Sequence, residues 1–186
     1  KGIFRLLPAH FFILKDGKMD IKRYWEPTFC EEADTLENYV DRIDEAMKES
    51  VKAHEVGDLE IGSFLSSGVD SSYITSCFSG SKTFTVGFSN KDYNEIDYAK
   101  TLSESLGMQN YSKIISPTEY WDVLPKVQYF MDEPLADPAA VALYFVSELA
   151  SKHVSVAMSG EGADELFGGY NIYKEPIDLA NFQKLP

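Results

Sequence analysis

Two stretches of this 186-residue chain gather the residue types that handle phosphate and metal. The first, "LSSGVDSS" over 65–72, packs hydroxyls and a glycine around one carboxylate, Asp70. The second, "SGEGADELFGGY" over 159–170, combines Ser159, Gly160 and other small residues with the carboxylates of Glu161, Asp164 and Glu165. In each, an apolar strand-like segment runs into a polar turn and then into the start of a helix. Small residues let backbone approach a ligand, and a helix N-terminus presents unpaired N–H groups and the positive end of the helix dipole. Carboxylates in such a cradle repel phosphate unless a hard cation lies between them. Carboxylate and phosphate oxygens together are what Mg²⁺ takes, so the local chemistry is that of a Mg²⁺–polyphosphate site. Either loop alone also reads as plain turn chemistry, with Asp70 as a helix N-cap. The pair, each at a strand end, favours the site.

The elements that must position these loops alternate along the chain. Apolar runs at 61–65, 83–88, 111–115 and 154–158 predict strands. Between them, helices are expected over 70–78, over 95–106 with Ile96, Ala99, Leu102 and Leu106 on one face, and over 137–152. "SPTE" at 116–119 is a helix start with a Ser cap and a Pro at the first position, and Pro125 is expected to break or kink that helix. The alternation predicts an α/β fold, a doubly wound parallel sheet flanked by helices. Ligands of such sheets sit beyond the carboxyl ends of the strands, where strand order reverses. Upstream, Asp34 and Glu37 have capping-box spacing before an apolar stripe of Leu36, Val40, Ile43, Met47 and Val51. Earlier still, "HFFILKDGKMDIKRYW" predicts a hairpin turning at Asp16-Gly17. A hairpin has little stability alone, so it must pack on something or belong to a larger sheet.

The composition, 44% hydrophobic and 13% aromatic, is that of a globular chain large enough for one well-packed domain with a small attachment. A formal charge of −13 argues against a nucleic-acid partner, which requires a basic face. Cys30 and Cys77 make no disulfide framework or metal-spaced cluster, and Cys77 reads as a buried, inert thiol on an apolar helix. His10, His54 and His153 fall in unrelated segments, as surface or packing residues. No run approaches roughly 18 apolar residues and no signal-peptide pattern is present, so no membrane partner is implied and the chain reads as cytoplasmic. A lysine-bearing phosphate loop, a G-x-G-x-x-G turn and a G-x-S-x-G elbow are all missing from the sequence.

"LSSGVDSS" resembles the S-G-G-x-D-S pyrophosphate-binding loop of the N-type ATP pyrophosphatases. "SGEGADELFGGY" is similar to the second signature of the glutamine-hydrolysing asparagine synthetases. "TVGF", "NEIDYAKTLSESLG" and "DEPLADPAA" resemble that branch in the same order, and "LLPAHFFILKDGKMDIKRYW" resembles the last strands of its N-terminal glutaminase domain. The resemblance covers nearly the whole chain. One position departs from it: Ser67 stands where the family commonly has glycine, a small residue whose hydroxyl is able to donate to phosphate.

The resemblance implies ATP-dependent conversion of aspartate to asparagine in two steps. ATP activates the β-carboxylate as an aspartyl-adenylate with release of pyrophosphate, and ammonia then displaces AMP. By the same resemblance Ser66, Ser67, Gly68, Asp70, Ser71 and Ser72 cradle the pyrophosphate, and Asp70 and Asp164 hold Mg²⁺. Leu65, Val86, Ser159 and Gly160 line the adenosine pocket, and Glu161 helps to form the acyl-adenylate or to position ammonia. The implied partners are small molecules: ATP, aspartate and, in a full-length parent, ammonia from glutamine. The parent is expected to be a homodimer. The family's glutaminase works through an N-terminal cysteine, whereas this chain starts at Lys1 with its first cysteine at Cys30. The expected layout is the end of a glutaminase domain at 1–25, a linker at 26–33 and the first part of a synthetase domain at 34–186. Such a fragment is expected to bind ATP and to make little or no asparagine alone, the adenylation cations lying beyond Pro186. Two alternatives stay open. One is the same chemistry on another carboxylate, as in β-lactam-forming or cell-envelope amidating relatives, with the acceptor site around 132–140. The other is a nucleotide-binding module without catalysis, against which the clustered acids Asp70, Glu161 and Asp164 argue.

Overall fold

The computed structural model describes residues 2–30, 32–55, 57–90 and 94–180. Glu31 of the expected linker and positions 181–186 of the expected 34–186 segment lie outside the described residues. The chain divides into two compact units after Val40.

The first unit holds the expected hairpin, β1 (His10–Lys15) antiparallel to β2 (Lys18–Arg23). Asp16 and Gly17 join them at φ of 52° and 74°, the two left-handed residues that a tight hairpin turn requires. Phe12 pairs with Ile21 and Leu14 with Met19. Phe11, Ile13, Ile21 and Trp25 are all exposed, as are Phe12 and Leu14, so the ribbon buries neither face within its unit.

Helix α1 (Leu36–His54) starts one residue later than the capping-box spacing suggests. The cap is Thr35, whose Oγ1 accepts the Asn38 N–H at 3.2 Å. The Asp34 carboxylate instead accepts the Thr35 N–H at 2.8 Å and the Asn38 side-chain amide at 2.6 Å. Both residues are capping types, and the carboxylate is engaged one step upstream. Of the expected apolar stripe Val51 is buried, while Leu36, Val40 and Ile43 are exposed.

The second unit is the predicted parallel sheet. Its strands are β3 (Ile61–Phe64), β4 (Lys82–Phe88), β5 (Gln109–Ile115) and β6 (Val156–Met158), all parallel, in the order β5-β4-β3-β6. Helices α2 (Val69–Cys77), α3 (Ile96–Ser105), α4 (Pro117–Phe130) and α5 (Ala139–Ala150) connect them. After β6 come α6 (Ala163–Phe167), a short 3-10 turn and α7 (Glu175–Asp178).

Period-two alternation along β4 explains why helices cover both faces. Phe84, Val86 and Phe88 point one way, into clusters with Ile115, Val141, Phe145 and Val146 of β5 and α5. Thr83 and Thr85 point the other way and are buried. The Thr83 hydroxyl lies 2.7 Å from that of buried Ser103 on α3, and Ser63 of β3 lies 3.0 Å from Thr75 of α2 in the same manner. A second cluster of Val51, Phe78 and Met158 includes Cys77 at its partly buried edge, which bears out its packing role in weaker form. His153 packs as expected, its ring 3.9 Å from that of Tyr111.

The "SPTE" start is a full capping box: the Glu119 N–H donates to Ser116 Oγ at 3.2 Å, and Glu119 accepts the Ser116 N–H at 2.9 Å. Pro125 does not break α4, which runs through it. Proline removes one i→i−4 hydrogen bond, here to Trp121, and both residues lie on the exposed side of the helix. Among the described residues no helix is long and apolar enough to cross a membrane.

Glu119 makes stability pH-dependent. A hydrogen bond from Lys113 Nζ at 2.6 Å, then those from Ser116, hold its carboxyl down from 4.5 to about 2. A depressed carboxylate contributes stability above its unfolded value and loses it as pH falls through the folded one. Glu119→Gln is therefore expected to be less stable than the parent chain at pH 7, with the gap closing between pH 4.5 and about 2. Urea midpoints across that range check it, and a constant gap would refute it. Amide exchange offers a second test. Residues 10–23, in a ribbon with no buried face, are expected to exchange far faster than residues 82–88; equal protection would show the hairpin to belong to a stable core.

Candidate active site

β3 is the first strand of the sheet in sequence. The chain moves outward through β4 to β5, then returns to lay β6 on the other side of β3. Strand order thus reverses between β3 and β6, which opens a crevice at their carboxyl ends. Both polar loops leave the sheet from these two strands.

Leu65 fixes the exit of the first loop. Its N–H donates to the Phe84 carbonyl at 2.9 Å, and its own carbonyl accepts the Thr85 hydroxyl at 2.8 Å. The serines knit the turn that follows. The Ser66 N–H donates to Ser71 Oγ at 3.1 Å, the two hydroxyls lie 2.8 Å apart, and the Gly68 N–H donates to Ser66 Oγ at 3.1 Å. The Ser71 and Ser72 hydroxyls donate to the Gly68 carbonyl at 3.2 and 2.8 Å. Gly68 is the N-cap of α2 and no side chain caps this end. Asp70 lies inside the first turn, so its reading as a mere N-cap is excluded. The first-turn N–H groups lack intrahelical acceptors and border the crevice.

In the second loop the Glu161 N–H donates to Ser159 Oγ at 3.2 Å, and Gly162, left-handed at φ 95°, starts α6. Gly160 brings this loop onto the first. A Cβ there would stand 2.9 Å from the Ser71 nitrogen and 3.0 Å from the Asp70 carbonyl carbon. Only a glycine permits that approach.

The loops enclose a cavity of about 580 Å³. It is lined by Leu65, Ser66, Ser67, Gly68, Asp70, Ser71, Val86, Ser159, Gly160, Glu161 and Asp164, every expected site residue except Ser72. Ser72 braces the turn from behind, its hydroxyl 3.3 Å from that of Tyr98. Phe64, Phe84, Phe88, Leu143 and Val146 supply an apolar wall. Four polar lining residues were not expected from the sequence: Asn94, Glu95, Tyr98 and Tyr170. Glu95 Oε2 accepts the Ser67 N–H at 3.0 Å. Tyr170 donates to Glu165 Oε1 at 2.9 Å, and that bond pushes its phenol up to about 12. The available signal for Glu95 was its place at the start of the helix that follows β4, on the carboxyl edge of the sheet. Of the segment 132–140, Ala139 lines the cavity; Asp137 Oδ1 accepts the Ala139 N–H at 2.9 Å and so orders the start of α5.

The lining carries four carboxylates, Asp70, Glu95, Glu161 and Asp164, and no Lys, Arg or His. Among the described residues no group of three or more His, Cys, Asp or Glu is gathered to hold a metal. That suits Mg²⁺, which takes one or two carboxylates with phosphate oxygens and water rather than an all-protein cage. Asp70 and Asp164, hard oxygen donors on the two touching loops, fit this need. Gly169 leaves room for the Asp164 carboxylate: a Cβ there would stand 1.9 Å from its Oδ1.

The family model for asparagine synthase matches residues 42–186, a span that holds both loops and all four strands of the sheet. The chain belongs to the asparagine synthase family. Asparagine synthetase (glutamine-hydrolyzing) 1 of Bacillus subtilis is 48% identical over 182 residues, covering 96% of this chain and 29% of that protein. A putative asparagine synthetase (glutamine-hydrolyzing) of Mycobacterium tuberculosis is 43% identical over 195 residues, covering 100% of this chain and 30% of that protein. A third, of Methanocaldococcus jannaschii, is 29% identical over 194 residues and 38% covered. The chain therefore spans 29% to 38% of the length of these asparagine synthetase relatives.

The two glycines separate stability from ligand geometry. Gly160→Ala meets backbone that cannot rotate aside, an overpacking expected to cost about 1–3 kcal/mol. Gly169→Ala meets the end of a movable carboxylate, so its cost to stability is expected to be smaller. Urea unfolding followed by circular dichroism checks the order, and equal midpoints would show that the loops are not pressed together at Gly160.

Proposed function

We propose that this cavity binds Mg-ATP and serves the adenylation of aspartate, the first half of asparagine formation. One observation carries the reading: two carboxylate-bearing loops meet at the strand-order reversal over a cavity with an apolar wall. The turn of Ser66, Ser67, Gly68 and Ser71, with the uncapped N–H groups at the start of α2, cradles the β and γ phosphates as one unit. Ser72 supports the turn from behind. The adenosine lies against Leu65 and Val86, with Ser159 and Gly160 at its edge.

A loop that holds β and γ phosphates together suits attack at the α-phosphorus, with pyrophosphate leaving. A lysine-bearing loop suits γ transfer instead, and the lining has no lysine. Asp70 and Asp164 are the residues that would hold Mg²⁺, which when bound neutralises charge on the phosphate oxygens. Glu161, in the lining of the cavity, is assigned to the acyl-adenylate or the incoming ammonia. The second half then follows from nitrogen attack on the activated carbonyl with AMP as leaving group. Aspartate as acceptor and glutamine as the source of ammonia rest on the similarity to proteins named glutamine-hydrolyzing asparagine synthetases. The same similarity supports a layout with a glutaminase-like end at 1–25, a linker at 26–33 and a synthetase segment at 34–186.

Asp70→Asn tests the reading. Two acids facing one polyphosphate give net repulsion without metal, so binding of ATP is expected to require Mg²⁺. The substitution is expected to weaken Mg-ATP by about 2 kcal/mol, the scale of a charge-assisted contact. Isothermal titration with and without Mg²⁺ measures both, and equal affinity in the two conditions would overturn the assignment.

A further inference from the structure

We propose that Glu95 is a specificity residue, one that sets the first loop against metal-free polyphosphate and in favour of the magnesium complex. The inference rests on the polyphosphate reading above and concerns a residue outside the two loops. Glu95 Oε2 accepts the Ser67 N–H at 3.0 Å from 28 positions away. That amide belongs to the turn that would meet phosphate oxygens, so one of its anion-binding groups is already held by the chain's own anion.

The position of this carboxylate is built into the fold. Asn94 Oδ1 accepts the Ile96 N–H at 3.2 Å, and the Ala99 N–H donates to the Glu95 carbonyl at 3.1 Å. Ile96 is buried. Gly87 at the end of β4 lets this segment come close: a Cβ there would stand 2.8 Å from Asn94 Oδ1 and 3.1 Å from Ile96 Cδ1. One turn along α3, the Tyr98 hydroxyl lies 3.3 Å from that of Ser72 at the base of the loop. Glu95 is therefore carried on a helix start anchored to both the sheet and the turn, and it cannot retreat far.

The consequence is electrostatic. A bare polyphosphate entering the turn must displace one carboxylate, Glu95, while facing another, Asp70. With Mg²⁺ between the acids and the phosphates, the incoming complex carries less negative charge, and the penalty from Glu95 shrinks. A charge next to the Ser67 amide thus separates metal-free from metal-bound ligand, where a neutral acceptor would not.

The test is calorimetric titration of inorganic pyrophosphate into the full chain, once in EDTA and once in excess Mg²⁺, for the unsubstituted chain, Glu95→Gln and Glu95→Ala. Glu95→Gln keeps an acceptor for the Ser67 N–H and removes the charge. It is expected to bind metal-free pyrophosphate about tenfold more tightly, the scale of one charge-assisted contact, with the magnesium complex changed by less than about twofold. Glu95→Ala is expected to move in the same direction, and unchanged circular dichroism spectra show that both are folded. Weaker or equal metal-free binding by a folded Glu95→Gln would overturn the inference. So would a large loss confined to the magnesium complex, which would make Glu95 a metal-side ligand. If the unsubstituted chain binds pyrophosphate in neither condition, the polyphosphate reading itself fails and the inference falls with it. If that chain binds the magnesium complex and Glu95→Gln gains nothing without metal, only the role of Glu95 is lost.

Discussion

Two hydrogen bonds on one residue determine where the chain leaves the sheet, and the site depends on that point. The Leu65 N–H and carbonyl are both taken by β4, through Phe84 and Thr85. Each bond contributes only about 1 kcal/mol net, but leaving either group unpaired in the interior would cost more than that. Leu65 is therefore held to the strand, and the next residues must turn at once. The serine network of 66–72 closes that turn, and the start of α2 is delivered to the crevice with its N–H groups uncapped.

Directional polar contacts add to apolar burial, of Ile96 and Ala99 on α3 and of Ile74 and Cys77 beside the cluster at α2, in holding the helices that carry the site. α2 buries Thr75, and its hydroxyl meets that of Ser63 on β3; α3 buries Ser103 against Thr83 on β4. Hydroxyl pairs in the interior help to specify a register, because a shifted helix would bury Thr75 or Ser103 away from its partner on the sheet. The opposite face of β4 works differently. Phe84, Val86 and Phe88 meet α5 through non-directional packing, and the same side chains continue upward as the apolar wall of the cavity. One face of the strand thus fixes position, and the other supplies a surface suited to a flat ring.

The strands and the two loops were legible because their signals are local. An apolar run bounded by turn residues, or "SPTE" ahead of a helix, needs no knowledge of what lies elsewhere. The reversal of order between β3 and β6 was expected in kind, from where ligands sit in such sheets, yet which strands flank it is a tertiary fact. Errors arose where two local signals competed. Asp34 and Thr35 are both capping types, and the choice between them turned on the Asn38 side chain. Pro125 was read as breaking or kinking α4, and the helix is not broken there. Glu95 was missed for a different reason: its place on the carboxyl edge of the sheet was readable, but its contact was not. Its contact to Ser67 joins residues 28 apart, and nothing in "NEID" distinguishes a ligand-facing acid from a solvated one at a helix start.

The acidity of the cavity follows from how its donors are used. The hydroxyls of Ser66, Ser71 and Ser72 and the N–H groups of Ser66, Ser67 and Gly68 are committed within the protein, so the first loop offers an anion chiefly the unpaired first-turn N–H groups of α2. Partial charges at one helix end amount to about half an elementary charge. The lining sets four carboxylates against them. A site with that balance cannot attract a polyphosphate by charge alone, and a bare phosphate arriving there meets repulsion before it meets a donor. On the proposed Mg-ATP reading, such a lining would favour an anion that comes with its own cation, with the carboxylates as its ligands and the amides as the geometric guide. On that reading the excess of acid would be a condition on the form of ligand admitted, and it would depend on the close approach that Gly160 allows between the loops.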